Sequence, residues 1–335
     1  MATLPSVRAR ACRACARAAI VCTALALAAA HAEDLAYPVR PVRLVVSYAA
    51  GNVTDILARI LAAQLSQQWG QPVAVDNKPG QGGSLGAQAA TKAPADGYTL
   101  LLSATAAMAI NPHLYEDVGY EPLRDFAPIA NIAYPTLVVA VSPTLHIDSL
   151  PLLVHYSHAH PNALNYGTAG NGTVSHLNME ALKMRTGLQA QHVPYKGAGA
   201  ALADLIGGRL QIQQDASSVL LPQIKAGKLR AVAVAAPLRL PQLPDVPTLG
   251  ELYPRFEPIV PWLALFAPAH TPKPVIDKIH RDVRSVLARP SVQKLMTDQG
   301  LSIAADATPA SFAEQVGRDH ERLGALVRAT HLKVD

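Results

Sequence analysis

Two short segments hold the residue types and spacing of an anion site built without a cation. Tyr48-Ala49-Ala50-Gly51-Asn52-Val53-Thr54-Asp55 and Ala169-Gly170-Asn171-Gly172-Thr173-Val174-Ser175-His176 each lead from a strand-like stretch, through glycine, into a helical pattern. A glycine turn that feeds a helix leaves N–H groups unpaired at the positive end of the helix dipole. Such groups hold a carboxylate or phosphate without a charged side chain. Neither segment contains Lys or Arg, and both carry small hydroxyl and amide side chains. Facing each other across a cleft, they would clamp one small anion from two sides, with Thr54, Thr173 and backbone N–H groups at its charged end. Each turn taken alone is also an ordinary α/β connection.

Other candidate chemistry is weaker. Gly82-Gly83-Ser84-Leu85-Gly86 has the spacing of a nucleophile elbow, which needs its Ser on a tight turn directly after a strand. Asn77-Lys78-Pro79-Gly80-Gln81 intervenes, so a Ser84 that opens a helix fits better, and a secreted serine hydrolase is the alternative reading. His155, His158 and His160 lack a further acidic or thiol ligand beside them, so they read as a solvated helix end rather than a metal site. No HExxH, dinucleotide fingerprint or Walker A sequence is present. The expectation is a binding protein rather than an enzyme, with no metal and no cofactor.

The elements that must position the two turns follow from the periodicity. Short apolar runs alternate with amphipathic stretches, the pattern of an α/β protein with mainly parallel sheets. Strands are expected at 42–47, 72–76, 98–102, 137–141, 192–195, 210–214, 229–235 and 263–267. Thr54-Asp55 is expected to cap a helix ending near Trp69, with Ile56, Ile60 and Leu61 on one face. The last 60 or so residues read as three helices, with Pro272, Pro290 and Pro309 at their starts. Turn-rich stretches near Pro135 and from Pro241 to Pro254 are the expected crossovers between two similarly built domains.

Composition sets the compartment. Half of the 335 residues are apolar and 16% are charged, ample for a buried core. Arg8, Arg10, Arg13 and Arg17 precede an apolar run from Ala18 to Ala30, closed by Ala30-His31-Ala32. This is the layout of a secretory signal peptide, cut after Ala32, and the protein is expected in the periplasm. Four of the 29 basic residues and none of the 24 acidic ones lie in that segment, leaving 25 against 24. The basic balance therefore belongs to the export signal, and no nucleic-acid partner is expected. Cys12, Cys15 and Cys22, the only cysteines, leave with it.

Many motifs in one order carry a resemblance. Tyr37-Pro38-Val39-Arg40-Pro41, Asp76-Asn77-Lys78-Pro79-Gly80, Asp96-Gly97-Tyr98-Thr99-Leu100, Ile110-Asn111-Pro112, Ala169-Gly170-Asn171-Gly172-Thr173, His192-Val193-Pro194-Tyr195-Lys196-Gly197, Ile224-Lys225-Ala226-Gly227-Lys228 and Leu243-Pro244-Asp245-Val246-Pro247-Thr248 span the region after the signal. On these the chain resembles the Bug-type extracytoplasmic receptors of tripartite tricarboxylate transporters. The resemblance implies a type II periplasmic-binding-protein fold: two α/β domains, 33–137 with 260–335 and 138–259, and a ligand cleft between them. It implies a monomer that binds a small carboxylate and serves membrane transporter subunits of the tripartite tricarboxylate type; a receptor that signals to a sensor kinase would look the same. It places the ligand loops at Tyr48 to Asp55 (Tyr48, Ala50, Gly51, Asn52, Val53, Thr54, Asp55) and at Ala169, Gly170, Asn171, Gly172 and Thr173 with His176. Ser103, Thr105 and Asp215 should line the cleft. The first loop departs from the family's usual Pro-Phe-x-Pro-Gly-Gly-x-Thr-Asp: Tyr48 replaces Phe, a proline is lost, and Asn52 stands at a glycine position, expected in a left-handed turn.

Overall fold

The computed structural model describes residues 37–305 and 307–330. The expected export signal lies outside the described residues. Arg40–Asp335 form one compact unit; of the preceding unit, Met1–Val39, the described residues are Tyr37, Pro38 and Val39.

Two mixed sheets organise the compact unit. The first has six strands in the order β11-β4-β10-β3-β1-β2: β1 (Val42–Val46), β2 (Val73–Asn77), β3 (Thr99–Ala104), β4 (Phe126–Pro135), β10 (Leu263–Pro268) and β11 (Leu301–Ile303). The second has five in the order β7-β6-β8-β5-β9: β5 (Leu137–Val141), β6 (Asn165–Thr168), β7 (Gln191–Pro194), β8 (Ile212–Ala216) and β9 (Arg230–Ala235). β1 runs parallel to β2 and β3, and β6 runs parallel to β7 and β8. The chain passes from the first sheet to the second at Pro135-Thr136-Leu137 and returns between β9 and β10.

Helices cover both sheets: α1 (Val53–Trp69), α2 (Ser84–Thr91), α3 (Leu150–Ala159), α4 (Val174–Thr186), α5 (Ala198–Ile206), α6 (Ser217–Lys225), α7 (Lys273–Leu287), α8 (Pro290–Asp298) and α9 (Pro309–Thr330). The buried face of α1 includes Leu57, Ala58, Leu61 and Leu65, so of the expected stripe Leu61 is buried while Ile56 and Ile60 are rotated to a half-buried position. The reason is the close approach of β1 and β2, on which the leucines pack. The first core gathers Trp262, Phe266, Phe312, Met108 and Leu101; the second gathers Val138, Ala201, Leu205, Leu220 and Val234. No helix among the described residues is long and apolar enough to cross a membrane.

The central strands β1, β5 and β10 are buried along nearly their whole length, as continuous apolar runs dictate when both faces are covered. Consequently the loops at the carboxyl ends of β1, β3, β6 and β8 are the places where each sheet can present backbone to a ligand.

Candidate functional site

The first loop is held from below by one carboxylate. Asp55, 2% exposed, accepts the Gly51 N–H at 2.9 Å, the Arg59 Nε–H at 2.9 Å and the Asn77 Nδ2–H at 3.0 Å. Asn77 also donates to the Tyr48 carbonyl at 2.9 Å, so both ends of the loop are tied to β2. Burial pushes the Asp55 carboxyl up, but the bonds from Arg59, Gly51 and Asn77 outweigh it and leave the acid below its ordinary range. Gly51 has φ +81, the left-handed conformation that suits glycine.

Asn52 corrects two expectations. Its backbone is extended (φ −71, ψ 158), not left-handed, and its side chain caps α1 by accepting the Thr54 N–H at 2.9 Å. The cap is therefore Asn52 and not Thr54-Asp55, and Asn is among the best N-cap residues. Val53 and Thr54 are buried in the first turn of α1, while Ala50 and Gly51 are exposed. The N–H groups of Val53 and Asp55 have no acceptor among the described residues.

The Tyr48 hydroxyl donates to the Gly82 carbonyl at 2.8 Å. Burial, with Tyr120 and Tyr115 nearby, holds its pKa well above the ordinary value, so it stays a neutral donor. Tyr48 thus ties the first loop to the glycine turn before α2. Ser84 opens α2 and is wholly buried, accepting from Asn111 Nδ2 at 2.9 Å and from the Tyr120 hydroxyl at 3.3 Å. Neither neighbour is a general base, so the elbow-like spacing corresponds here to a helix start.

The second loop repeats the construction. Thr173 caps α4, accepting the His176 N–H at 3.3 Å while its hydroxyl donates to the Gly170 carbonyl at 2.9 Å. Asn171, Thr173, Val174 and Ser175 have N–H groups without an acceptor among the described residues, and the last three residues are buried. His176 Nδ1 takes the Gly172 N–H at 3.4 Å and its ring stacks on His192 at 3.8 Å. Burial, and then Lys183, lowers His176 to about 4; burial, and then His176, lowers His192 to about 3. Both rings are neutral at physiological pH, and an acceptor Nδ1 makes His176 the Nε2–H tautomer.

Asn111, which follows the π-helical turn Ala106–Ile110, links the glycine turn before α2 to the second loop. Asn111 is fully buried and donates to the Gln81 and Gly82 carbonyls as well as to Ser84, leaving Oδ1 without a donor. A Cβ on Gly172 would stand 2.5 Å from that Oδ1, and one on Gly82 would stand 3.2 Å from the Asn171 carbonyl. The Tyr115 hydroxyl reaches the same carbonyl at 3.5 Å. The structure therefore joins Tyr48, Gly82, Asn111 and the Asn171–Gly172 turn into one contact region between the sheets.

The remaining predicted residues divide. Ser103 is buried, with its hydroxyl 2.9 Å from that of Ser47. Thr105 is tied to the residue before β10, its hydroxyl accepting the Trp262 N–H at 2.7 Å. Both hydroxyls are engaged at the end of β3, Thr105 also donating to the Trp262 carbonyl at 3.4 Å. Ala169 begins the second loop just after β6, and Asp215 lies near the end of the neighbouring β8. Burial raises Asp215 to about 6 against the opposing bonds from Ala216 and Gln213. Asn111, Tyr115 and Gly82 were missed as site residues. Ile110-Asn111-Pro112 was visible as a motif, but nothing local in sequence says that it faces the second loop.

A groove of about 510 Å³ bordered by Tyr115, Asp117, Tyr120, Arg124 and His320 adjoins this region at Tyr115, and another of about 300 Å³ is bordered by Thr136, Gln242, Thr297 and Gly300. Of the three clustered histidines, His160 stacks on Tyr156 and His158 packs by Gly187. Among the described residues no group of three His, Cys, Asp or Glu is placed to hold a metal.

Against known proteins, the profile of the "Tripartite tricarboxylate transporter family receptor" matches residues 57–332. Protein BugT of Bordetella pertussis is 35% identical over 300 residues, covering 89% of this chain and 91% of BugT. The structure of Rpa4515 from R. palustris with adipate superposes with a TM-score of 0.84 at 32% identity, covering 89% of this chain and 99% of that one. MatC from Rhodopseudomonas palustris with bound malate gives 0.80 at 31% identity, covering 87% and 100%.

Proposed function

The chain belongs to the tripartite tricarboxylate transporter receptor family, a family of periplasmic solute-binding proteins, and from that premise we propose that its two loops clamp a small carboxylate for delivery to membrane subunits of such a transporter. The observation that carries this reading is the set of N–H groups left unpaired in buried residues Thr173, Val174 and Ser175, in a loop that meets Asn111 and, through Gly82, Tyr48 of the first loop. The first N–H groups of a helix have no partner within it, and a carboxylate oxygen pairs with them while gaining from the dipole of α4. Adipate and malate in two similar structures supply the chemical class.

In this reading Thr54 and the N–H groups of Val53 and Asp55 take one side of the anion, and Thr173 to Ser175 take the other. Residues 33–137 with 260–335 form one domain, 138–259 form the second, and the Asn111–Gly172 contact belongs to the closed state. A ligand touching both loops favours that state by its differential affinity. The mature protein is a monomer beginning at Glu33 in the periplasm, acts without catalysis, and needs no cofactor. N-terminal sequencing of the exported chain checks the cut after Ala32.

A thermal-shift screen of the mature chain against mono-, di- and tricarboxylates and their neutral esters tests the clamp. An acid at about 100 times its Kd adds about 2.7 kcal/mol, so a shift from an acid and none from its ester is expected. Stabilisation by neutral compounds alone would overturn the reading.

A further inference from the structure

A buried acceptor without a donor lies in β8, beneath the second loop. Gln213 is fully buried, and its Nε2 donates to the Ala198 carbonyl and to Asp215 Oδ2, each at 3.3 Å. Those two acceptors fix the orientation of the amide and leave Oε1 unpaired. Asp215 Oδ1 takes the Ala216 N–H at 2.8 Å, and both carboxylate oxygens retain room for further donors.

Strand alternation places Gln213 and Asp215 on one face of the sheet. The register pairs Gly167 of β6 with Gln213, so Gln213 and Asp215 lie towards the strand ends from which the second loop leaves β6. Ala198, the other partner of Gln213, opens α5 just after β7. The two acceptors therefore sit between the second loop and the start of α5, at the same strand ends as the unpaired N–H groups. Asp215 feels burial and the bonds from Ala216 and Gln213, and no cation. Buried acceptors with no donor are destabilising, and nothing among the described residues supplies one to Gln213 Oε1.

We propose that Gln213 Oε1 and Asp215 form a subsite for a hydrogen-bond donor, so that the bound solute is a carboxylate that also carries an amino, amide or hydroxyl group. This rests on the carboxylate reading of the two loops. It assigns the α4 end of the cleft to the anion and the β8 floor to the donor. Selectivity of this kind is strong, because a solute lacking the donor leaves both acceptors buried and unpaired.

The test is calorimetric titration of the mature protein with matched acids: L-aspartate and L-malate against succinate, L-glutamate against glutarate, and the adipate monoamide against adipate. At least one donor-bearing acid should bind about tenfold or more tightly than its plain partner, and the tighter partner identifies whether amine, hydroxyl or amide is read. In Gln213→Leu that ratio should fall to about twofold, while the plain acid keeps its affinity within about threefold, and Asp215→Asn should lower the ratio likewise. Plain acids binding as well as every donor-bearing partner would overturn the subsite and leave the loop clamp standing. So would a ratio that survives both substitutions. If no acid binds, the clamp fails and the subsite with it. Should a variant not fold, the wild-type ratio decides.

Discussion

Gly172 joins two requirements at one position. Its φ of +73 is the left-handed conformation, and a Cβ there would meet Asn111 Oδ1 at 2.5 Å. Alanine would cost about 1 kcal/mol in backbone conformation alone and would also hold the second loop away from Asn111. Gly172→Ala should therefore leave the ligand-free fold intact while weakening carboxylate binding about tenfold or more; unchanged affinity by calorimetry would refute the closing contact. Asp55 acts at the same scale. Asp55→Ala strips acceptors from the Gly51 N–H, from Arg59 and from Asn77. A loss of about 1–3 kcal/mol in urea-measured stability is expected, together with weaker carboxylate binding. Retained stability would mean that the loop holds itself.

Among the elements, α4 rests on a neutral aromatic stack of His176, His192 and Tyr166. The unfolded histidines protonate below about pH 6.5, whereas the folded ones wait until about 4 and about 3. The stability they contribute is thus present above pH 6.5 and lost as pH falls towards 4 and then 3. Each histidine contributes about 1.4 kcal/mol per pH unit in that window. Asp215, raised to about 6, works in the opposite sense between pH 6 and its unfolded value, but one carboxyl does not offset two histidines. Melting temperature of the ligand-free protein should fall from pH 6.5 to pH 4, and in His192→Gln, where Asp215 offsets the one histidine left, most of that fall between pH 6 and pH 4 should disappear; an unchanged slope would locate the acid sensitivity elsewhere. Elements with strong local patterns were legible: β1, β3, β5 and β10 are continuous apolar runs, and α7 to α9 begin at prolines. β4 was not, because Pro128, Asn131 and Pro135 interrupt its pattern and its identity comes from pairing with the distant β10. α6 was hidden by Pro222, which sits inside the helix. Of the site, the two turns were readable from glycine and capping residues. Asn52 as the cap, Asn111 as the bridge and Gln213 as an unpaired amide depend on tertiary contacts that no local spacing encodes.

Across the whole molecule, the loops of two sheets meet at one contact region, and the returning chain makes a second tie. Asn178 of α4 donates to the Ile259 carbonyl at 3.0 Å and accepts the Ile259 N–H at 2.8 Å, fully buried. Asn178→Leu should cost about 2–4 kcal/mol by leaving both backbone groups of Ile259 unpaired; a smaller loss by chemical denaturation would show that water reaches that segment. Everything proposed for this molecule depends on a carboxylate being held by backbone from both loops and by no cation. A crystal structure of the mature protein with the tightest acid decides that point. Carboxylate oxygens are expected within about 3.2 Å of N–H groups from the Val53–Asp55 and Thr173–Ser175 turns, with a Gly172–Asn111 contact closed over them. A carboxylate paired with a Lys or Arg side chain, or seated in the groove beside Tyr120 and Arg124, would contradict it.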